Sequence, residues 1–196
     1  MSLRLSTGPH ILARTSTRSI MLDVLIALLP TTAAGIYFFG LDAAIVLAVS
    51  VLSAVLAEAA FQKLAGRPVM IKDLSAAVTG LLLGLNLPSS SPWWMAVIGS
   101  VVAVVLVKQL FGGIGQNFLN PALAARAILL TSWPARMTSF YLPERLINIG
   151  AQSAAEIGDA VTSATPLAKG GVAMMDLLWG NIPGTIGEVC KIAILI

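Results

Sequence analysis

Long apolar runs separated by short polar segments make up most of the chain. The first run extends from Ile20 to Phe39 and the second from Ala43 to Phe61, with Gly40-Leu41-Asp42 between them. A run of about 20 apolar residues forms a helix long enough to cross the hydrocarbon core of a membrane. The pattern therefore predicts a hairpin of two membrane helices, over residues 20–39 and 43–62.

Three later apolar runs are shorter. The first of them contains two glycines and Asn86, and it is followed by a Pro-Ser-Ser-Ser-Pro stretch and by Trp93-Trp94, a pair typical of the interfacial aromatic belt. The next is interrupted near its end by Lys108 and Gln109, and the last, with Arg126 inside it, is short for a full crossing. The pattern predicts helices over residues 74–88, 93–111 and 121–133.

The segments outside these runs are polar. Residues 1–19 carry three arginines and no acidic residue, and residues 134–184 mix Pro, Gly, Ser and Thr with scattered charges. Because basic segments stay on the cytoplasmic side, we expect 1–19 to be cytoplasmic and 134–184, five crossings later, to be an extracytoplasmic loop. The chain becomes apolar again over residues 185–196, which predicts the start of a further membrane helix. Since the sequence stops inside this apparent span, we expect the chain to be incomplete or half of something larger.

Composition supports the membrane assignment. Apolar residues make up 57% of the chain and charged residues 11%, against about 25% charged in soluble domains, and the mean hydropathy is +0.90. The net charge of +3 is thinly spread, without the basic block of a nucleic-acid binder. A single cysteine, Cys190, and a single histidine, His10, exclude an intramolecular disulfide and a Cys- or His-based metal site. We therefore predict an all-α, multi-span membrane bundle with short or broken helices.

The stretch with the most specific chemistry is Asp-Ala-Val-Thr-Ser-Ala-Thr-Pro-Leu, residues 159–167. From the residues alone it is a turn of small polar side chains, in which Thr162 or Ser163 caps a helix that begins at Pro166. Small side chains also let a bulky planar ligand approach the backbone. The residue chemistry leaves both interpretations open.

This stretch resembles the acceptor motif D-x-x-[ST]-[GS]-A-T, in which FMN is joined through its phosphate to the final threonine. From about Thr7 onwards, the chain also resembles the membrane subunits of the RnfD/NqrB family of ion-pumping redox complexes, and its wording is closer to RnfD than to NqrB. The other matching stretches are TGPHI at 7–11, MLDVLIALLP at 21–30, DLSAAVTGLLL at 73–83, NFLNPALAARA at 117–127 and GTIGE at 184–188. Ser163 stands where many such acceptor sites have glycine.

The resemblance implies that a flavin transferase acting outside the cytoplasm attaches FMN to Thr165. The attachment motif would then include Asp159, Thr162, Ser163 and Ala164. The resemblance further implies one half of an inverted repeat in a bacterial inner membrane, in an Rnf complex that couples electron transfer between ferredoxin and NAD⁺ to Na⁺ or H⁺ movement. The expected partners are the G-type membrane flavin protein, the A- and E-type membrane subunits, and the B- and C-type cytoplasmic subunits.

Three acidic residues within or beside apolar runs are candidates for an ion path: Asp23, Glu58 and Asp73. Charges near the bilayer centre are costly, and they face the protein interior, a partner or water. The alternative is a structural role, in a helix cap or in an ion pair such as Glu58 with Lys63. The sequence leaves both roles open and does not select Na⁺ or H⁺.

The stretch Gly-Gly-Ile-Gly-Gln-Asn, residues 112–117, is a further candidate site. Irregular backbone at membrane depth is tolerated where it lines a cavity. In the family the corresponding region is associated with non-covalent riboflavin, which implies Gly112, Gly113, Asn117 and Asn120 as its binding residues. The alternative is a tight turn between helices, because a lone glycine-rich loop is a weak motif.

Two other functions stay open beside a flavin-carrying redox subunit. Short glycine-containing spans, an inverted repeat and asparagines at helix breaks are also typical of channels and transporters for small solutes. A structural scaffold for sister subunits is the other alternative. The stretch 159–165 separates them, since neither a channel nor a scaffold requires a flavin acceptor.

Overall fold

The computed structural model describes residues 16–140, 174–180 and 182–195, and this part of the chain is mostly helical. In chain order its elements are α1 (Thr17–Leu64), a 3₁₀ turn (Ile71–Asp73), α2 (Ser75–Leu85), α3 (Trp93–Val101), a π-helix (Val102–Gln109), α4 (Pro121–Ser132), α5 (Pro134–Met137), α6 (Met174–Trp179) and α7 (Lys191–Leu195). Within these ranges only α1 is long and apolar enough to cross a membrane, judged by length and composition, and α2, α3 with the π-helix, and α4 are shorter apolar helices.

Helix α1 is a hairpin rather than a straight rod. Gly40 has φ 67° and ψ −145°, outside helical values, in a region that residues with a side chain rarely adopt. A straight helix of this length would extend about 72 Å, yet Thr17 and Gln62, at its two ends, line the same cavity. The chain therefore reverses at Gly40. We call residues 17–39 the first arm and residues 41–64 the second arm; they contain the predicted helices 20–39 and 43–62.

Helix α2 crosses the second arm at close range because small residues lie between them. A Cβ atom built on Gly80 would lie 2.7 Å from the carbonyl oxygen of Ser50, and one built on Gly84 would lie 3.0 Å from a methyl of Leu47. The Ser50 hydroxyl donates to the Gly80 carbonyl at 2.7 Å, and the Ser100 hydroxyl donates to the Ser50 carbonyl at 2.9 Å. Small residues and interhelical hydrogen bonds hold helices together where lipid removes the hydrophobic driving force.

The outer faces of α1 are apolar as well. Ile26 and Leu29 on the first arm and Leu52 and Leu56 on the second are between 54% and 66% exposed. Large exposed apolar surfaces are rare on soluble monomers and mark contact with a membrane or another protein. The inward faces of the arms pack instead on a core that includes Leu47, Leu87, Met95, Leu129 and Ile186.

Two irregular segments meet where α2 ends. Pro88 and Thr185 form an antiparallel bridge, the Ile186 amide donates to the Leu87 carbonyl at 3.1 Å, and the Gly187 amide donates to the Leu85 carbonyl at 2.8 Å. Both Thr185 and Ile186 are buried. Non-helical backbone is tolerated at membrane depth when protein surrounds it in this way.

These contacts correct several predicted boundaries. The helix predicted over 74–88 ends at Leu85, and the one predicted over 185–196 begins only at Lys191, because the intervening backbone groups bond across the two segments rather than within a helix. Residues 182–184, expected in an extramembrane loop, are buried. The helix predicted over 93–111 ends at Gln109 as a π-helix.

Candidate functional site

The π-helix turns three consecutive side chains, Val107, Lys108 and Gln109, into the interior. A regular α-helix advances about 100° per residue, so three neighbours would spread over about 200° of its circumference. Bonds from residue i+5 widen the turn, and the Leu110 amide donates to the Val105 carbonyl at 3.1 Å, five residues back. Single turns of this kind occur frequently at functional sites. Here the wider turn brings a lysine and a glutamine together against the second arm.

Their target is Glu58 on the second arm, which is 1% exposed. The Lys108 ammonium donates to the two carboxylate oxygens at 2.9 and 3.1 Å. The Gln109 amide nitrogen donates to Oε1, and the Gln62 amide nitrogen donates to the same oxygen at 3.4 Å. Since Lys108 is only 2% exposed, both charges of this ion pair are shielded from solvent.

The network continues from the ion pair to the start of α2. Lys108 donates a third hydrogen bond to the Ser75 hydroxyl at 2.6 Å. That hydroxyl donates to Asp73 Oδ1 at 2.9 Å, and the Ser75 amide donates to the same oxygen at 3.0 Å. The structure thus joins two of the three predicted acids, Glu58 and Asp73, through Lys108 and Ser75. We call Glu58, Gln62, Ser75, Lys108 and Gln109 the buried polar cluster.

The third predicted acid, Asp23, lies apart from this cluster. It sits on the first arm with its side chain exposed, among apolar residues. The structure therefore does not support a path in which all three acids share one site.

The expected pairing of Glu58 with Lys63 is wrong. Lys63 is exposed at the end of the second arm, and Glu58 pairs with Lys108 instead. Five residues along an α-helix correspond to a rotation of about 500°, so Lys63 points about 140° away from Glu58.

A cavity of about 420 Å³ opens beside the buried polar cluster. Gln62 and Gln109, which both contact Glu58, form part of its wall together with Arg67, Gly112 and Gly113. Its volume falls within the range of about 300 to 1,000 Å³ typical of small-molecule sites. The buried ion pair therefore has a polar approach from the end of the bundle where α1 begins and ends.

A buried ion pair is weak support for stability by itself. Removing two charges from water costs several kcal/mol per ion, which the attraction between them offsets only with good geometry and further hydrogen bonds. Inside a membrane protein, ionisable residues of this kind mark ion or proton routes by default. The cluster is therefore the leading candidate for chemistry among the described residues.

The glycine-rich stretch is divided between two roles. Gly112 and Gly113 have φ of 109° and 98° and border the cavity. The side-chain oxygen of Asn117 is buried and has no hydrogen-bond partner within the described ranges. Asn120 instead caps α4, since its side-chain oxygen accepts from the amides of Ala122 at 3.0 Å and Leu123 at 3.4 Å. Of the predicted riboflavin residues, the structure brings the two glycines to the cavity and uses Asn120 as a helix cap.

Replacing Asn120 with alanine should destabilise the protein by about 1 kcal/mol, the usual cost of losing an N-cap. Asn120→Asp should restore stability, because aspartate caps helices equally well. Unfolding of the purified protein in mixed detergent–SDS micelles measures the difference. Equal stability of all three forms would exclude the capping role.

The flavin-acceptor stretch, with Asp159, Thr162, Ser163, Ala164 and Thr165, lies outside the described residues. On either side of it, the chain contacts one short loop. The Ser90 hydroxyl donates to the Ser139 carbonyl at 2.7 Å, and Thr185 bridges to Pro88. This loop follows the C-terminal end of α2, whereas the buried polar cluster lies at its N-terminal end.

Lys108 and Arg126 were not among the functional residues predicted from the sequence. Lys108 interrupts an apolar run, and a lysine next to glutamine in such a run is a signal for a buried partner. Arg126 donates to the side-chain oxygen of Asn86 at 2.8 Å, and the Asn86 amide nitrogen donates to the Leu82 carbonyl at 2.8 Å. This pair of contacts fixes α4 to the break after α2. Arg126 and Asn86 can both be recognised in the sequence as polar residues within apolar runs, but the sequence does not show that they pair with each other.

Comparison with known proteins places these features in context. The sequence profile described as the NQR2, RnfD, RnfE family matches residues 4–196. The chain is 48% identical, over 206 aligned positions, to the D subunit of the Na⁺-translocating ferredoxin:NAD⁺ oxidoreductase complex of Acetobacterium woodii, and the match covers 100% of the chain and 61% of that relative. It is 45% identical over 143 positions to the D subunit of the ion-translocating oxidoreductase complex of Yersinia enterocolitica, and 43% identical over 145 positions to that of Shewanella piezotolerans. These two matches cover 72% and 73% of the chain and 41% of each relative. The chain thus spans less than two thirds of the length of these relatives.

Proposed function

The chain belongs to the NQR2, RnfD, RnfE family, and on this premise we propose that it is the D-type membrane component of an ion-translocating ferredoxin:NAD⁺ oxidoreductase complex. The observation that carries the proposal is the D-A-V-T-S-A-T stretch at 159–165, in a chain 48% identical to a relative of that description. In the complex the chain binds neither ferredoxin nor NAD⁺. It works beside the A-, E- and G-type membrane components and the B- and C-type cytoplasmic components.

Thr165 carries FMN in this proposal. A flavin transferase moves the FMN group from a flavin dinucleotide to the threonine hydroxyl: the threonine oxygen–phosphorus bond forms as the pyrophosphate bond breaks, and the nucleoside monophosphate leaves. The isoalloxazine ring would supply the electron-carrying chemistry. Asp159, Thr162, Ser163 and Ala164 are the residues that the transferase recognises. The contacts of Ser139 and Thr185 with the loop after α2 support a location for this segment at the end of the bundle opposite the buried polar cluster. With the N-terminus in the cytoplasm, that end is extracytoplasmic.

Thr165→Ala should abolish covalent flavin completely, because the substitution removes the hydroxyl that forms the ester. The protein, coexpressed with a flavin transferase, is denatured in SDS and examined by in-gel fluorescence, intact mass and peptide mapping. The wild-type chain should gain the mass of FMN less one water at Thr165. Thr131→Ala, a matched change at an exposed threonine of α4, should keep the flavin. An unmodified wild-type chain would reject the covalent-flavin proposal and favour a channel or a scaffold.

The ion path in this proposal runs through the buried polar cluster, with Glu58 as its carboxylate and Asp73 beside it. Support comes from the near-complete burial of Glu58 and from the adjoining cavity at the end of the bundle where α1 begins and ends. The positive-inside distribution assigns that end to the cytoplasm. Asp23 is left out of the path, since its side chain is exposed on the first arm.

The same cavity is our proposed site for a non-covalent riboflavin. Gly112 and Gly113 place no side chain on their part of the wall, and the unpartnered oxygen of Asn117 offers an acceptor nearby in sequence. Asn120 supports the site through the helix cap. The Thr165→Ala variant tests this proposal too, because any flavin that it releases on denaturation is non-covalent. A Thr165→Ala complex that releases no flavin would reject the riboflavin site.

A further inference from the structure

The Lys108 ammonium is coordinated in the way that a bound cation is coordinated. Its three N–H groups meet three acceptors, the two Glu58 oxygens and the Ser75 hydroxyl, at 2.6 to 3.1 Å. The carboxylate and hydroxyl oxygens that surround the ammonium are hard ligands of the kind that hard metal cations prefer. The Lys108 side chain extends from the π-helix, so the ammonium is a cation that is covalently attached to the protein.

We propose that Lys108 is a tethered counter-ion, which occupies the site that a dehydrated alkali cation takes when it passes Glu58. This inference rests on the ion path proposed above and adds the resting occupant of the site and the event that empties it. When the alkali cation enters, the ammonium leaves, so the net charge beside Glu58 stays constant. Neither state therefore leaves a single charge uncompensated in the interior, which would be costly.

The two glutamines of the cluster suit this exchange. Gln62 and Gln109 now present amide nitrogens to Glu58. Each amide also carries an oxygen, and a half-turn about the last side-chain torsion exchanges donor for acceptor. The Gln62 oxygen accepts from the Met70 amide at 2.8 Å, so Gln62 can turn its oxygen towards a cation only by giving up that hydrogen bond. Both residues border the cavity of about 420 Å³, so an arriving cation meets them first. A bare proton would require the carboxylate alone, whereas a shell of several oxygens favours a metal cation.

The π-helix gives Lys108 a way to leave the site. Conversion of its wide turns to α-helical turns changes the register by one residue, which is a rotation of about 100°. Gly112 and Gly113 follow after Leu110 and Phe111, and their amides donate to the carbonyls of Gln109 at 3.2 Å and Lys108 at 3.0 Å. Glycines at positive φ can absorb such a change in the backbone.

The first test uses the wild-type complex with its full-length D-type component. A membrane-permeant, amine-reactive acetylating reagent is applied in NaCl or in choline chloride of equal ionic strength, and labelled lysines are mapped by mass spectrometry. Na⁺ should raise the labelling rate of Lys108 severalfold, because the displaced ammonium leaves the buried cluster. The exposed Lys63 is the internal control and should react equally in both salts. A Lys108 labelling rate that is the same in NaCl and in choline chloride, at constant pH, would overturn the proposal. A rate that increases only when the pH is lowered would overturn it as well.

The second test measures ferredoxin-driven Na⁺ transport by the complex in proteoliposomes. Lys108→Met or Lys108→Gln removes the competing charge, so the Na⁺ concentration for half-maximal transport should fall at least tenfold. Lys63→Met should leave it unchanged. A purely structural lysine would reduce the amount of assembled complex without shifting this concentration, and that result would overturn the proposal. If Glu58→Gln transports Na⁺ normally, the ion path itself is rejected. If Glu58→Gln impairs Na⁺ transport but the Lys108 variants leave the half-maximal Na⁺ concentration unchanged, the ion path is retained and the counter-ion role is rejected.

Discussion

Replacing Gly80 with leucine is expected to separate α2 from the second arm and to remove most of the folded protein. Even the first side-chain carbon would lie 2.7 Å from the Ser50 carbonyl oxygen and 2.8 Å from the Val51 Cα and the Ala54 Cβ. Overpacking costs about 1–3 kcal/mol when neighbouring side chains can yield. Here the obstacles include backbone atoms, so we expect a loss above about 3 kcal/mol, measured by unfolding in mixed micelles.

Ala48→Leu is the matched control for this prediction. Ala48 lies on the same arm, and its side chain is exposed. Three added carbon atoms at this exposed position, against four at Gly80, should therefore leave the free energy of unfolding nearly unchanged. Gly80→Ala should fall between the two, because its single methyl group meets the same three atoms. Wild-type stability for Gly80→Leu would show that α2 and the second arm do not pack as described.

Removing either partner of the Glu58–Lys108 pair should cost about 3–5 kcal/mol of stability. Lys108→Met leaves a carboxylate, and Glu58→Gln leaves an ammonium, each buried without its counter-charge. The double variant should be more stable than the sum of the two losses predicts, because neither charge remains. Unfolding free energies of the four proteins give the coupling energy directly.

The exposed Lys63 provides the reference for this cycle. Lys63→Met combined with Glu58→Gln should show additive losses, since the two side chains do not meet. Additivity in the Glu58–Lys108 cycle as well would contradict the ion pair. A coupling of several kcal/mol for Lys108 and of near zero for Lys63 is the expected outcome.

Much of the helical arrangement was predictable from local sequence. The two arms of α1 follow from apolar runs of membrane length with Gly40 between them, since glycine is the residue that tolerates a positive φ. Gly80 and Gly84 are small residues of the kind that lets helices approach closely, but the sequence does not say which helix they meet. The two arms and α2 through α4 therefore lie close to the predicted ranges, because each depends mainly on its own residues.

The rest depends on contacts between distant parts of the chain. Lys108 meets Glu58 across 50 positions of sequence, and no periodicity within either helix encodes that pairing. The π-helix that directs Lys108 into the interior could not be predicted either, since its sequence is that of an ordinary apolar α-helix. Thr185 to Gly187 also read as the start of a helix, but their backbone bonds to the segment after α2. In each case tertiary contacts decided the conformation that local preference left open.

Helix α2 acts as a strut between two regions of the molecule. Its first residue, Ser75, accepts a hydrogen bond from Lys108, and its last, Leu85, receives the amide of Gly187. Eleven residues of helix form a rigid rod about 16 Å long. Since a helix this short bends little, a shift of Ser75 along the axis displaces the Leu85 carbonyl by the same distance. Rearrangement around Lys108 therefore reaches the far segment as an axial displacement of α2, which also slides Gly80 and Gly84 past Ser50 and Leu47 of the second arm.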